Sequence, residues 1–131
     1  MKSLTDIFND QQVENILSGR KDGYKIYHEW LELFAKELRE PNGKFKTGKF
    51  IWEAYWARVL PSVNGNKAIT LYQSKPVEEF YAIYEDGHEV FKCKSDTWPN
   101  FISRDVIVFP ASKTWSVVFS HEGTVHYVEP Q

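Results

Sequence analysis

His121, Glu122 and His126 are the residues of this chain that come closest to a reactive constellation. Imidazole and carboxylate groups so close together are the types used for acid–base work or for holding zinc. Their spacing argues against a metal. Zinc-binding helices carry histidines four apart, so that both rings leave one face. Here the two histidines are five apart, with the Glu122-Gly123 turn signal between them. No metal site and no cofactor is assigned. His121, Glu122 and His126 remain the set that a small hydrolase or nucleic-acid-processing enzyme would have to use. Ser120-His121-Glu122 is adjacency and not a triad, whose members meet in space and seldom in sequence. The lone cysteine, Cys93, shares its strand parity with Phe91 and reads as a core residue. The glycines form neither a phosphate loop nor a dinucleotide fingerprint, and the stretch 43–49 is only a basic loop. No catalytic residue is assigned, and the chain reads as a protein that is not an enzyme.

The carboxylates offer a different kind of chemistry. Glu78, Glu79, Glu85, Asp86 and Glu89 gather on and around one expected hairpin, with Tyr81 on its outward parity. Acids and a tyrosine on an exposed ribbon suit a basic partner surface. Opposite potentials speed the encounter, and tyrosine is a frequent anchor at interfaces. These six residues are the candidate partner-binding set.

The elements that must position these groups follow from hydrophobic spacing. Residues 4–18 place Leu4, Ile7, Phe8, Val13, Ile16 and Leu17 at helical intervals, with Gly19 as a stop. A second helix capped by Asp22 carries Tyr27, Trp30, Leu31, Phe34 and Leu38 in one stripe and ends at Pro41-Asn42-Gly43. A third is expected over about 49–60, with Ile51, Trp52, Tyr55, Trp56, Val59 and Leu60 on a face. Residues 67–73 fit a short helix or a strand, and the helix is favoured. From Glu79 onward the pattern becomes β: a hairpin closing at Glu85-Asp86-Gly87-His88, then strands over 105–109, 114–121 and 124–128. The expected architecture is α+β, with N-terminal helices packed on a mostly antiparallel sheet of about five strands, a C-terminal meander.

Val106-Ile107-Val108-Phe109 and Val117-Val118-Phe119 are apolar on both strand parities. A sheet with one wet face alternates. Both faces of the central pair must therefore be covered, by helices on either side or by a partner chain.

Length and composition agree with one globular domain spanning 1–131. Aromatic residues reach 16%, enough for a ring-rich core or a sticky surface. Net charge is −2, and residues 67–131, with six basic and nine acidic residues, are the acidic half. That balance argues against nucleic acid as a partner. The single cysteine fits a reducing compartment, and no apolar run approaches the ~20 residues a membrane span needs. A soluble, cytoplasmic protein is expected.

The segment Trp30-Leu31-Glu32-Leu33-Phe34 followed by Trp52–Trp56 resembles an uncharacterised family of small bacterial proteins. So does Asp105-Val106-Ile107-Val108-Phe109-Pro110 leading to Thr114-Trp115 and on to His121-Glu122. In that family an aspartate opens one strand, and a tryptophan and a His-Glu pair mark the next. This chain departs from it at 123–128, where members continue into a Gly-Pro-Tyr-Phe-like ending. The pattern is also similar to immunity proteins of contact-dependent and polymorphic toxin systems. That resemblance implies an inhibitor that neutralises a cognate toxin domain, such as a nuclease, by covering its active site. It carries over no catalytic residue. The alternatives are the hydrolase reading above and a regulatory module holding a small ligand in an aromatic pocket near Trp52, Trp56 and Trp115.

Overall fold

The computed structural model describes residues 3–38, 40–42, 52, 55, 61–85 and 87–130. Helix α1 (Leu4–Asp10) opens with a reciprocal cap. Ser3 Oγ accepts the Asp6 N–H at 3.1 Å, and Asp6 Oδ2 accepts the Ser3 N–H at 3.2 Å. Donors that the helix itself cannot satisfy are thereby met. The helix then stops well short of residue 18. Gln12 turns the chain at φ +56°, and the Val13 N–H bonds to the Phe8 carbonyl at 2.8 Å. Glu14–Leu17 continue as an extended strand, β1. The three-and-four spacing of Val13, Ile16 and Leu17 is too short a run to tell the two periods apart. Pairing with another strand decides it.

Helix α2 (Arg20–Phe34) begins at Gly19, ahead of the expected cap. Asp22 sits in the first turn, where its charge complements the positive end of the helix dipole. Trp30, Leu31 and Phe34 are buried. Ala35 ends the helix and Lys36–Leu38 form a 3-10 turn, from which Leu38 still packs against the Trp30, Leu31 and Phe34 cluster. Most of the helix expected over 49–60 lies outside the described residues. Trp52 and Tyr55 are described; both are helical and buried. The favoured helical reading of 67–73 is what forms. Helix α3 (Asn66–Ser74) follows Gly65 and buries Ala68 and Tyr72. It lies between strands, so the helices are not all N-terminal.

Among the described residues the sheet has seven strands, not five. Besides β1 they are β2 (Val63–Asn64), β3 (Phe80–Tyr84), β4 (Glu89–Lys94), β5 (Val106–Pro110), β6 (Ser116–Phe119) and β7 (Val125–Val128). Their order is β1-β4-β3-β5-β6-β7-β2, and every neighbouring pair is antiparallel. The two unexpected strands are the two edges. The C-terminal strands are a meander only from β5 to β7, because β5 returns to pair with the free side of β3.

Both faces of this sheet are covered by helices. Phe80, Ala82, Phe91, Val106, Val108, Val117, Phe119 and Tyr127 meet α1, α3 and the rings of Trp98, Phe101 and Trp115. Ile83, Val90, Ile107, Phe109, Val118 and Val128 meet α2 with Trp52 and Tyr55. Every residue of β5, β6 and β7 is buried. That explains why these strands do not alternate in sequence.

Polar ties fix each layer. Trp30 Nε1 donates to Ser116 Oγ at 2.9 Å, and Ser116 Oγ donates to the Val108 carbonyl at 2.8 Å. This relay pins α2 to β5 and β6 inside the core. On the other face Tyr72 Oη donates to the Pro99 carbonyl at 2.6 Å, and Trp98 Nε1 donates to the Lys75 carbonyl at 2.8 Å. Gln11 and Asn100 exchange two bonds of 2.7 Å, joining the end of α1 to the 97–104 loop. Ser116→Ala strands the buried Trp30 donor, and urea unfolding should show a loss of about 1–3 kcal/mol. Adding Trp30→Phe removes the stranded donor, so the double variant should lose less than the two singles together. Strict additivity would mean that the relay contributes nothing.

Candidate functional site

One end of the sheet gathers most of the chemistry. The β3 terminus, the β3–β4 turn, the start of β5 and the β6–β7 turn all lie there, as the Tyr84–Val106 and Val106–Phe119 pairings require. They bring Glu85, Glu89, Asp105 and Glu122 to a common rim. Glu85 N–H donates to the Asp105 carbonyl at 2.9 Å, which locks the turn to β5. Glu85 itself takes φ +46°, a conformation few residues other than glycine adopt.

At the centre of this rim His121 is clamped. Its Nδ1 lies 2.9 Å from Asp105 Oδ2 and its Nε2 3.2 Å from Glu122 Oε1. The His121 N–H also donates to Asp105 Oδ1 at 2.8 Å. The edge of the Trp52 ring packs on the imidazole, with centroids 5.7 Å apart. The Asp105 carboxylate raises the His121 pKa above its ordinary value, with Glu122 adding to the effect. With both ring nitrogens held by carboxylates, His121 serves as a clasp between β5 and the β6–β7 turn.

His126 does not join it. It is buried, and its ring stacks on Tyr55 with centroids 6.0 Å apart. Nδ1 donates to Asn64 Oδ1 at 2.8 Å, while Nε2 accepts from Thr124 Oγ1 at 3.0 Å. Thr124 Oγ1 in turn meets Ser120 Oγ at 2.5 Å. These contacts tie edge strand β2 to β7. Burial lowers the His126 pKa to about 4, so the ring is neutral near pH 7. The acid–base set His121, Glu122 and His126 is therefore split between an exposed clasp and an interior bond network. Trp52 and Trp115, two of the three rings of the alternative aromatic pocket, are not brought together. Those rings pack on opposite faces of the sheet, and Trp56 lies outside the described residues. Cys93 is buried, and desolvation pushes its thiol up to about 12, which keeps it protonated and unreactive. The basic stretch 43–49 lies outside the described residues. Among the described residues no group of His, Cys, Asp and Glu is placed to hold a metal ion. None of their helices is long and apolar enough to cross a membrane.

The acidic set also divides. Glu79 and Glu85 lie at opposite ends of β3, roughly 20 Å apart at strand rise. Glu78 braces the β5–β6 turn by accepting from Ser112 N–H at 2.8 Å and Ser112 Oγ at 3.1 Å. Glu79 is exposed at that same far end. Tyr81 is half-buried, its ring 5.1 Å from that of Phe109, so it packs under α2 instead of facing outward. Glu85 and Glu89 remain at the rim, and Asp86 lies outside the described residues. Asp105 and Glu122 are the rim members that the acidic run in the sequence did not disclose. They come from sites 16 or more residues beyond it, and only the strand pairing brings them in.

Beside the rim runs an open cleft of about 1000 Å³ between the start of α2 and the β3–β4 turn. Tyr24, Tyr27, Arg20 and Lys21 form one wall, and Gly87, His88 and Glu89 the other. Tyr24 is 67% exposed and stacks on His28. Gly87, at φ +96°, lies so close to the Tyr27 ring that a Cβ there would be 2.5 Å from it. Glycine lets the turn rest against the helix.

No protein-family model matches the chain, and neither a curated protein nor a solved structure gives a significant match.

The two histidines titrate in opposite directions. Unfolded, His126 takes a proton near pH 6.5; folded, it resists until about 4. Between those values the unfolded chain holds more protons, so this residue makes stability fall as pH drops. The loss from pH 7 to pH 5 should be about 2 kcal/mol. His121, with its raised pKa, adds stability at low pH that fades as pH rises through its folded value. Urea unfolding of His126→Gln at pH 7 and pH 5 should show a smaller acid loss than the parent. An equal loss would mean that His126 is not held neutral.

Proposed function

We propose that this chain is a binding protein, an immunity protein that neutralises a cognate toxin domain in the cytoplasm by covering its active site. The observation that carries the reading is the juxtaposition at one end of the sheet. Four carboxylates, Glu85, Glu89, Asp105 and Glu122, gather at a rim, and Glu89 also lines the neighbouring cleft that exposes Tyr24. A nuclease active site presents lysines and arginines to phosphate, and a rigid set of carboxylates imitates that phosphate. The rim is rigid because Asp105 and Glu122 are held by His121, and Glu85 by the Asp105 backbone. Little ordering is then lost on binding. Tyr24 supplies the ring that charge alone cannot, since aromatic anchors dominate interface energies. The sequence resemblance to immunity proteins points the same way.

The reading changes the contact set. Glu85 and Glu89 stay in it, while Asp105, Glu122 and Tyr24 join. Glu78 and Tyr81 have structural duties, and Glu79 lies at the far end. The test is co-expression with the effector domain encoded beside the gene. The chain should restore growth and form a one-to-one complex. Glu85→Lys with Glu122→Lys should slow association more than about tenfold at low salt and flatten its salt dependence. Normal association by that variant, or no protection by the parent, would overturn the reading.

A further inference from the structure

The two edges of the sheet differ. β2 is two residues long and follows Pro61 closely, which blunts that side. β1 is open. Its Ile16 is 71% exposed and its Leu17 55%, two of the five large apolar residues exposed among the described residues. An open strand edge with apolar side chains is a template for another strand.

The backbone of β1 says which strand would fit. Ser18 N–H donates to the Val90 carbonyl at 2.9 Å, and the β1–β4 register pairs Glu14 with Lys94 and Ile16 with Lys92. In an antiparallel ladder, alternate residues turn their N–H and C=O toward the partner. Glu14, Ile16 and Ser18 therefore bond to β4. Asn15 and Leu17 turn theirs outward to the open edge. The edge ends on either side of them. The Val13 N–H is taken by the Phe8 carbonyl, and the Val13 carbonyl accepts Asn15 Nδ2 at 3.2 Å. Gly19, on the other side, gives its carbonyl to the Gly23 N–H within α2. Residues 15 and 17 present two donors and two acceptors to the open edge.

We propose that this edge pairs with itself, joining two copies of the chain about a two-fold axis through Ile16. Antiparallel pairing centred on Ile16 sets Asn15 of one copy opposite Leu17 of the other. Those residues exchange both N–H···O bonds, and symmetry repeats the pair. The outward groups of residues 15 and 17 of both strands are then satisfied. The exposed Ile16 side chains meet across the axis. Glu14 of each copy falls opposite Ser18 of the second, next to the cationic start of α2 at Arg20 and Lys21. The register that satisfies the backbone thus also places opposite charges together. The blunted β2 edge stops growth at two, and the sheets merge into one of fourteen strands. This inference does not rest on the proposed function: Ile16, at the axis, lines neither the acidic rim nor the cleft, although Leu17, Ser18, Arg20 and Lys21 border the cleft.

Sedimentation equilibrium of the full chain over a wide concentration range tests it. The expected result is a monomer–dimer equilibrium. Ile16→Lys and Leu17→Pro should each weaken it by more than about tenfold. Proline at 17 removes an N–H that the chain's own ladder does not use, so circular dichroism should stay unchanged. Residues facing each other at a non-hydrogen-bonded position have Cα atoms about 4.5 Å apart, within disulfide reach. Ile16→Cys should therefore oxidise to a covalent dimer, while Ile102→Cys, exposed elsewhere, should not. A monomer at every concentration overturns the proposal. So does a dimer that survives both edge variants or gives no Ile16→Cys cross-link. A monomeric Ile16→Lys variant that still neutralises the toxin would separate this interface from the proposed function.

Discussion

Burial of both faces of the central strands is the constraint on which the rest of the structure depends. β5, β6 and β7 have no wet side. Such strands cannot stand as a bare sheet or with one helical layer, since either would expose a broad apolar face. Two layers must close on them. The aromatic content serves this purpose: large rings span the gap between helix and sheet on each side with few residues. On the α2 side the Trp30–Ser116–Val108 relay sets the position of the helix. On the other side the Tyr72, Trp98 and Trp115 rings lie edge to face or tilted against one another.

Sealing both faces determines where function can reside. The interior of the sheet is filled, and its histidine and cysteine are neutral and enclosed. What the sheet itself leaves for contact is its perimeter: strand ends, turns and edges. The strand ends collect carboxylates from four places in the chain, and the side edge carries unsatisfied backbone. A charged rim suits a partner recognised by its potential, whereas an open strand edge suits one recognised by its backbone. The two surfaces adjoin at Leu17 and Ser18, which border the cleft.

Much of this was legible in the sequence. The lack of alternation in 106–109 and 117–119 implied a doubly covered sheet, and the helices on both faces answer it. The hairpin and the three C-terminal strands lie where turn residues and β-branched runs put them. Helix α2 follows from its stripe, although Ala35 ends it before Leu38. The edges were not legible. Glu14–Leu17 has an apolar spacing that fits either period over so few residues. Val63–Asn64 is too short to carry a pattern and exists because β7 needs a neighbour. The site was legible only in part. Glu85 and Glu89 follow from the hairpin turn, but proximity in sequence overstated the cluster: a five-residue strand separates Glu79 from Glu85. Asp105 meets His121 through the β5–β6 pairing, a contact across 16 residues that local reading cannot supply.

Native-state hydrogen exchange tests the two-sided sheet most directly. If neither layer can be spared, amides of α2, of α3 and of β5 to β7 should exchange through one common opening, with the free energy of global unfolding. Release of α2 at a much lower free energy, with β5 and β6 still protected, would show that the sheet tolerates a bare face and would contradict the account.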